Sequence, residues 1–259
     1  MQITSNIRPS GNLGTTPPDS AQMLKQLEKY SRDIHLLYTE RNEARMALAD
    51  SHSRLVLQLV LVAELGQDET AEHITRVGLF AAQVANTMGE SDTFCQTLRL
   101  AAALHDIGKV GIPDHLLNKY TLDPDEHAVM AGHTIIGSYI LGHSNVPLMQ
   151  LAADIALTHH ERFDGLGYPS RLQGTDIPLG GRIVALVDYF DELTRQDANR
   201  PPCSDIDAMD RIAGMRGSHF DPDVVDPFLR SMTDMLDIRD KVNRGQYGVD
   251  CLIQHPSTP

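Results

Sequence analysis

The chain has 259 residues, 41% of them apolar, enough for one large buried core with a helical appendage. A formal net charge of -13 excludes nucleic acid polymers and anionic membrane surfaces as natural partners, and no apolar run is long enough to cross a bilayer. Aromatics stand at 5% with no Trp, which points to helices rather than a sandwich or barrel, and three scattered cysteines without a CxxC pair suit a reducing, cytoplasmic setting.

Residues 1–19 are broken by Pro9, Gly11, Gly14, Pro17 and Pro18 and read as disordered, with no secretory pattern. From Asp19 or Ser20 a helix is expected over 20–52, because Leu27, Tyr30, Ile34, Leu37, Arg41, Ala44 and Leu48 keep an alternating three-four spacing. Two readings of that stripe stand side by side: a helix packed on its own domain, or a short parallel coiled coil that joins two copies. The main body is expected over 53–235, with helices at 53–65, 69–89, 92–107, 124–142, 147–160, 180–195, 204–216 and 221–235. Gly66, Gly89, Gly108 to Pro113, Gly142 to Pro147 and Gly165 to Gly181 supply the turns. Residues 236–259 read as a loose tail.

Imidazoles and carboxylates recur inside these apolar segments. Glu69 and His73 lie four apart on one helix face that continues through Val77, Phe80 and Val84. His105-Asp106 ends a helix of small residues, and Gly108 and Lys109 follow. His133 sits among small residues, His159-His160 ends an apolar stretch, and Asp188 interrupts an otherwise uncharged run. Each has a bland reading as a core histidine or a local ion pair. A buried Asp with no partner is costly, however, and one shared cluster of cations satisfies the whole set at once. The donors are nitrogen and oxygen only, which suits Fe, Mn, Co, Ni or Zn rather than Ca or Mg alone, and they outnumber the needs of one ion. His35, His52, His115, His127, His143 and His255 lie in polar or loop contexts and read as surface residues; Arg76 reads as a brace in an ion pair.

The segment His105-Asp106-Ile107-Gly108-Lys109 with Gly111-Ile112-Pro113 resembles the HDIGK-GIP motif of the HD-GYP family, within the HD superfamily of metal phosphohydrolases. His159-His160-Glu161, Asp164-Gly165 and Gly167-Tyr168-Pro169 resemble its HHE-DG-GYP motif, and Gly217 to Pro222 is similar to its closing motif. The resemblance spans about residues 53–235. It implies an all-α HD-domain helical bundle with an N-terminal extended helix, hydrolysing cyclic di-GMP to pGpG and/or GMP with two or three divalent transition metals, Fe or Mn. Carried over by motif, the ligands are Glu69, His73, His105, Asp106, His133, His159, His160 and Asp188. His105, Asp106 and Lys109 take the catalytic roles. Lys109, Asp191, Arg200, Gly167, Tyr168 and Pro169 take the substrate edge, and the Gly-Tyr-Pro loop also suits a signalling-domain partner. The family's Arg-Pro-Tyr-Lys run here reads Arg200-Pro201-Pro202-Cys203, which removes one positive charge from that edge. Two alternatives remain open: a phosphohydrolase for another nucleotide, or a metal-stabilised adaptor without catalysis.

Overall fold

The structure is a computed structural model that describes residues 20–63, 71–117, 119, 121–196 and 201–253. Glu69, Arg200 and the 1–19 segment therefore lie outside the described residues. Among those described, the regular structure is helical and no sheet is formed, an all-α fold. The chain divides into two compact units, residues 1–51 and 52–259.

The first unit holds most of α1 (Ser20–Ala63), which runs without a break where the sequence suggested two segments meeting at 52–53. Nothing in Ser51-His52-Ser53 stops a helix: the stretch has neither Gly nor Pro. Every side chain of residues 20–48 is exposed.

The second unit is built around α2 (Ala71–Met88), which packs on α3 (Asp92–Ala102), α8 (Leu179–Thr194), α10 (Pro222–Arg230) and α11 (Met232–Asn243). α7 (Pro147–Thr158) packs on α3, α6 (His133–Leu141) and α8. Ala81, Ala85, Ala101, Ala102, Ala152 and Ala156 are fully buried, so helices approach closely without large aromatics. This is the structural use of the Ala-rich, Trp-free composition.

Polar caps and glycines set the helix ends. Ser91 accepts from Phe94 N–H at 3.2 Å to start α3. Asp123 and Glu126 form a reciprocal capping box at the start of α5 (Pro124–Ala131). The expected helix over 124–142 is two helices, α5 and α6, separated at Gly132, and the expected helix over 221–235 breaks at Ser231 between α10 and α11. The C-terminal segment is not a loose tail throughout. α11 runs to Asn243, and a 3-10 turn over Val249–Leu252 follows. Val242 and Leu252 are buried in the core.

The most consequential difference lies after α3. The helix was expected to reach 107 but ends at Ala102, and the backbone tightens into three-residue turns. Leu104 N–H donates to Ala101 O at 3.1 Å, His105 N–H to Ala102 O at 3.2 Å, and Lys109 N–H to Asp106 O at 2.9 Å. The 3-10 segment Ile107–Gly111 then lies against α6 so closely that a Cβ on Gly108 would sit 1.9 Å from His133 O. No side chain fits there, and the neighbouring atoms are backbone.

A Gly108→Ala chain is thus expected to lose about 1–3 kcal/mol of stability through overpacking. Gly214→Ala, where nothing lies within 4 Å of the added carbon, should be neutral or mildly stabilising. Denaturant melts of both variants check the contrast.

Candidate metal centre

Four helix ends and turns and the middle of α8 deliver the polar side chains to one region of the second unit. His73 lies in the first turn of α2, His105 and Asp106 in the turn after α3, His133 opens α6, His159 and His160 follow α7, and Asp188 lies on α8. His73, His105, Asp106, His133 and His159 are buried. Asp106, His133, His159 and His160 each bring a ligand atom within 4.8 Å of the others, and so do His73, His105 and Asp188. The two groups adjoin: His105 Nε2 is 3.3 Å from Asp106 Oδ2 and 3.6 Å from Asp188 Oδ1. On an ideal helix His105 and Asp106 would diverge by about 100°. The tight turn after Ala102 is what lets both enter the site.

The backbone fixes the proton on each of three rings. His105 Nδ1 is 2.9 Å from Ala102 O, His133 Nδ1 is 2.7 Å from Met130 O, and His159 Nδ1 is 3.1 Å from both Ile155 O and Ala156 O. A carbonyl only accepts, so Nδ1 carries the hydrogen and Nε2 offers its lone pair inward. His133 Nε2 and His159 Nε2 then face each other at 3.3 Å. Asp106 Oδ1 is buried 3.1 Å from the first and 3.4 Å from the second, yet makes no hydrogen bond among the described residues. Lone pairs and a carboxylate oxygen gathered this closely repel one another unless a cation lies among them. The donor set therefore fits divalent metal.

The charge states agree. Burial, then the neighbouring His159, holds His160 well below the usual imidazole range. Burial lowers His159 as well, against the pull of Asp106. Burial pushes the Asp106 carboxyl up, but Lys109 and His105 outweigh it and leave the group well below the usual carboxylate range. Neutral imidazoles and an ionised carboxylate are the forms that ligate. Lys109 Nζ lies 2.6 Å from Asp106 Oδ2, at the partly exposed rim of the site.

Behind His73 stands a buried ion pair. His73 Nδ1 donates to Asp191 Oδ2 at 2.8 Å, and Arg76 grips the same carboxylate through Nε at 2.5 Å and Nη2 at 2.9 Å. Arg76 also reaches Asn243 Oδ1 on α11 at 3.2 Å. Burial raises Asp191, and the His73 and Arg76 hydrogen bonds more than offset it, so the carboxylate stays charged. Arg76 is the brace its context suggested. Asp191, expected at the substrate edge, is 1% exposed and is bonded to His73 and Arg76. Periodicity held the clue, because Asp188 and Asp191, three apart on α8, share one face toward α2.

The Gly-Tyr-Pro loop is tied to the same centre by Glu161. Its buried carboxylate accepts from Ser170 N–H at 2.7 Å and Leu172 N–H at 3.1 Å, closing the loop on its own start. Sequence reasoning gave this residue no separate role, since a carboxylate beside two histidines reads as one motif with them. Gly167 is buried rather than exposed at a rim, and a Cβ there would meet Arg162 N at 2.4 Å. Tyr168 stacks on His160 with ring centres 4.8 Å apart and planes 23° from parallel. Pro169 is half-buried. Asp164 is held by Arg162 at 2.6 and 3.0 Å and accepts from Leu166 N–H at 3.0 Å. The Arg162 hydrogen bonds bring its carboxyl down to about 2. Cys203, at the place of the missing lysine, packs partly buried against the core, and its N–H donates to Leu193 O at 2.8 Å.

Two outcomes follow from this geometry. In Asp191→Asn the buried Arg76 loses its counter-charge and His73 its anionic acceptor. Affinity at the His73–His105–Asp188 group should fall about 10–100-fold while the Asp106 group keeps its ion, as metal titration with stoichiometry would show. Because the Asp164 pKa is depressed on folding, its stabilising contribution is fully present above about pH 4 and is lost as pH falls toward about 2. The stability difference between wild type and Asp164→Asn should be flat above pH 4 and shrink below it, read by urea melts across pH.

The HD domain family matches residues 55–224. The chain is 42% identical over 213 residues to the cyclic di-GMP phosphodiesterase of Thermotoga maritima, covering 82% of this chain and 58% of that protein. It is 38% identical over 216 residues to the 3'3'-cGAMP-specific phosphodiesterase 2 of Vibrio cholerae, covering 83% and 41%. The chain thus spans about half the length of these relatives. Among solved structures, the cyclic GMP-AMP phosphodiesterase V-cGAP3 of V. cholerae has a similar fold, with a TM-score of 0.56 at 18% identity over 74% of this chain and 53% of that one. The match over the stretch that carries all the described ligand residues, together with the buried histidine–aspartate cluster, shows that this chain belongs to the HD domain family.

Proposed function

We propose that the chain is a metal-dependent phosphodiesterase that hydrolyses a cyclic dinucleotide, cyclic di-GMP in the first instance, to pGpG and/or GMP. One observation carries this reading: two adjoining donor groups of buried imidazoles and carboxylates sharing the His105–Asp106 turn, in a chain 42% identical to a protein named for that reaction.

Ions bound there would supply Lewis acidity that activates water for attack on phosphorus and offsets phosphate charge. Fe or Mn, two or three per chain with Glu69 as the added donor, is the loading we read. The protein's own residues do the rest. Asp106 bridges the two donor groups, the backbone carbonyls keep three imidazoles in the ligating tautomer, and Asp191 orients His73. Lys109, at the rim and already paired to Asp106, is placed to meet charge building on a phosphate oxygen. Tyr168 offers an aromatic face beside the cluster, and Arg200 and Pro169 complete the substrate edge in this reading. The reading also takes the Gly-Tyr-Pro loop, where Leu166 is 76% exposed, as the contact for a signalling domain. Residues 20–52 pair two copies of the chain. No helix among the described residues is long and apolar enough to cross a membrane, and the three cysteines form no disulfide; the reading places the protein in the cytoplasm.

A second reading is favoured by the 38% identity to a 3'3'-cGAMP-specific enzyme and by Cys203, which brings no charge to the substrate edge. It keeps the reaction and changes the base preference.

Protein loaded with Mn or Fe and offered cyclic di-GMP, 3'3'-cGAMP and nucleoside phosphates decides. Turnover fastest on cyclic di-GMP, and abolished in His105→Ala/Asp106→Ala with the fold intact, is expected. Preference for 3'3'-cGAMP would select the second reading. Metal-loaded protein inert to every nucleotide would overturn both in favour of an adaptor.

A further inference from the structure

α1 carries an apolar stripe that is exposed over residues 20–48 among the described residues. Met23, Leu27, Tyr30, Ile34, Leu37 and Leu48 are each more than half exposed, an amount of apolar surface that a stable helix does not leave in water unpartnered. Assigning Leu27, Ile34, Arg41 and Leu48 to heptad position a places Met23, Tyr30, Leu37 and Ala44 at d. Ile34 at a followed by Leu37 at d is the combination that favours two parallel strands.

The flanking charges choose an orientation. Glu40 falls at g and Arg45 at e, five residues apart, which is the spacing at which g of one strand meets e of its parallel partner. Arg41 interrupts the stripe at a. Its guanidinium lies over the Tyr38 ring, 4.6 Å from the centroid, at the e edge of the same helix. In a parallel pair the preceding g residue of the partner strand is again Glu40, so each Glu40 faces two arginines. In an antiparallel pair g flanks g and e flanks e, which separates Glu40 from Arg45.

We propose that the 20–48 stripe is covered by the same stripe of a second copy of this chain, parallel and in register, with Glu40 paired to Arg45 and Arg41 of the partner strand as the element that sets the alignment. This rests on the pairing through residues 20–52 read above and not on the hydrolytic reading.

Sedimentation equilibrium of the full chain should show a dimer. Arg45→Glu should weaken it about tenfold by turning two attractive pairs repulsive, and Glu40→Arg should weaken it further because its contacts to Arg41 reverse as well. The double swap Glu40→Arg/Arg45→Glu should recover the 40–45 share of that loss and so dimerise more tightly than Glu40→Arg alone. Leu37→Cys at a d layer should form a self-disulfide under mild oxidation, whereas Leu36→Cys, on the outer face, should not. A monomer at all concentrations overturns both the pairing and its alignment. A dimer that survives either single swap, is no tighter in the double swap than in Glu40→Arg alone, or fails to cross-link at Leu37→Cys overturns the parallel alignment while leaving the pairing in place. Nucleotide turnover is unaffected by which of these holds, so the enzymatic reading stands or falls separately.

Discussion

A buried carboxylate ringed by imidazole lone pairs is the constraint around which this protein is arranged. Asp106 touches His105, His133, His159 and Lys109, and its buried Oδ1 lies among nitrogen lone pairs. Such a grouping is unfavourable without a cation, so the second unit holds its site against electrostatic repulsion until metal binds. The stiffness for this comes from the backbone around the site. The turn after α3 is locked against α6 where only Gly108 fits, and the histidine rings are held by carbonyls at helix ends.

Around the ligands, polar contacts are shared between positioning and folding. Arg76 and Asp191 join α2 to α8, reach α11 through Asn243, and fix the His73 ring in the same set of bonds. Glu161 does the equivalent for the loop, fastening the segment whose Tyr168 lies against His160. Damage to either brace is therefore felt first at the ions. The net charge of -13 makes the surface at large acidic, whereas cations held by the cluster, with Lys109 at its rim, would set a positive local field.

The two units meet different demands. The first is a helix with a half-apolar surface and no core of its own, stable as a helix chiefly if that surface is covered. The second buries its own core, against which Cys203 packs partly buried.

The all-helical fold was legible from composition and spacing, and the residues from His73 to Asp188 that gather in one region were singled out by type, because a polar side chain inside an apolar, helix-periodic run has few places to go. The long α1 was legible as a helix, but its continuity through 52–53 was not, since the apolar pattern changes there while helix propensity does not. What only the tertiary structure decided concerns contacts between distant segments. Asp191 and Arg76 are 115 residues apart, and the three-residue spacing of Asp188 and Asp191 records a shared face but not the partner that face meets. Glu161 closes a loop through backbone N–H groups that any residue at 170 and 172 would supply. The breaks at Ala102, Gly132 and Ser231, and the return of Leu252 to the core, follow from how helices stack. Periodicity records which face of an element is buried; it does not record which other element buries it.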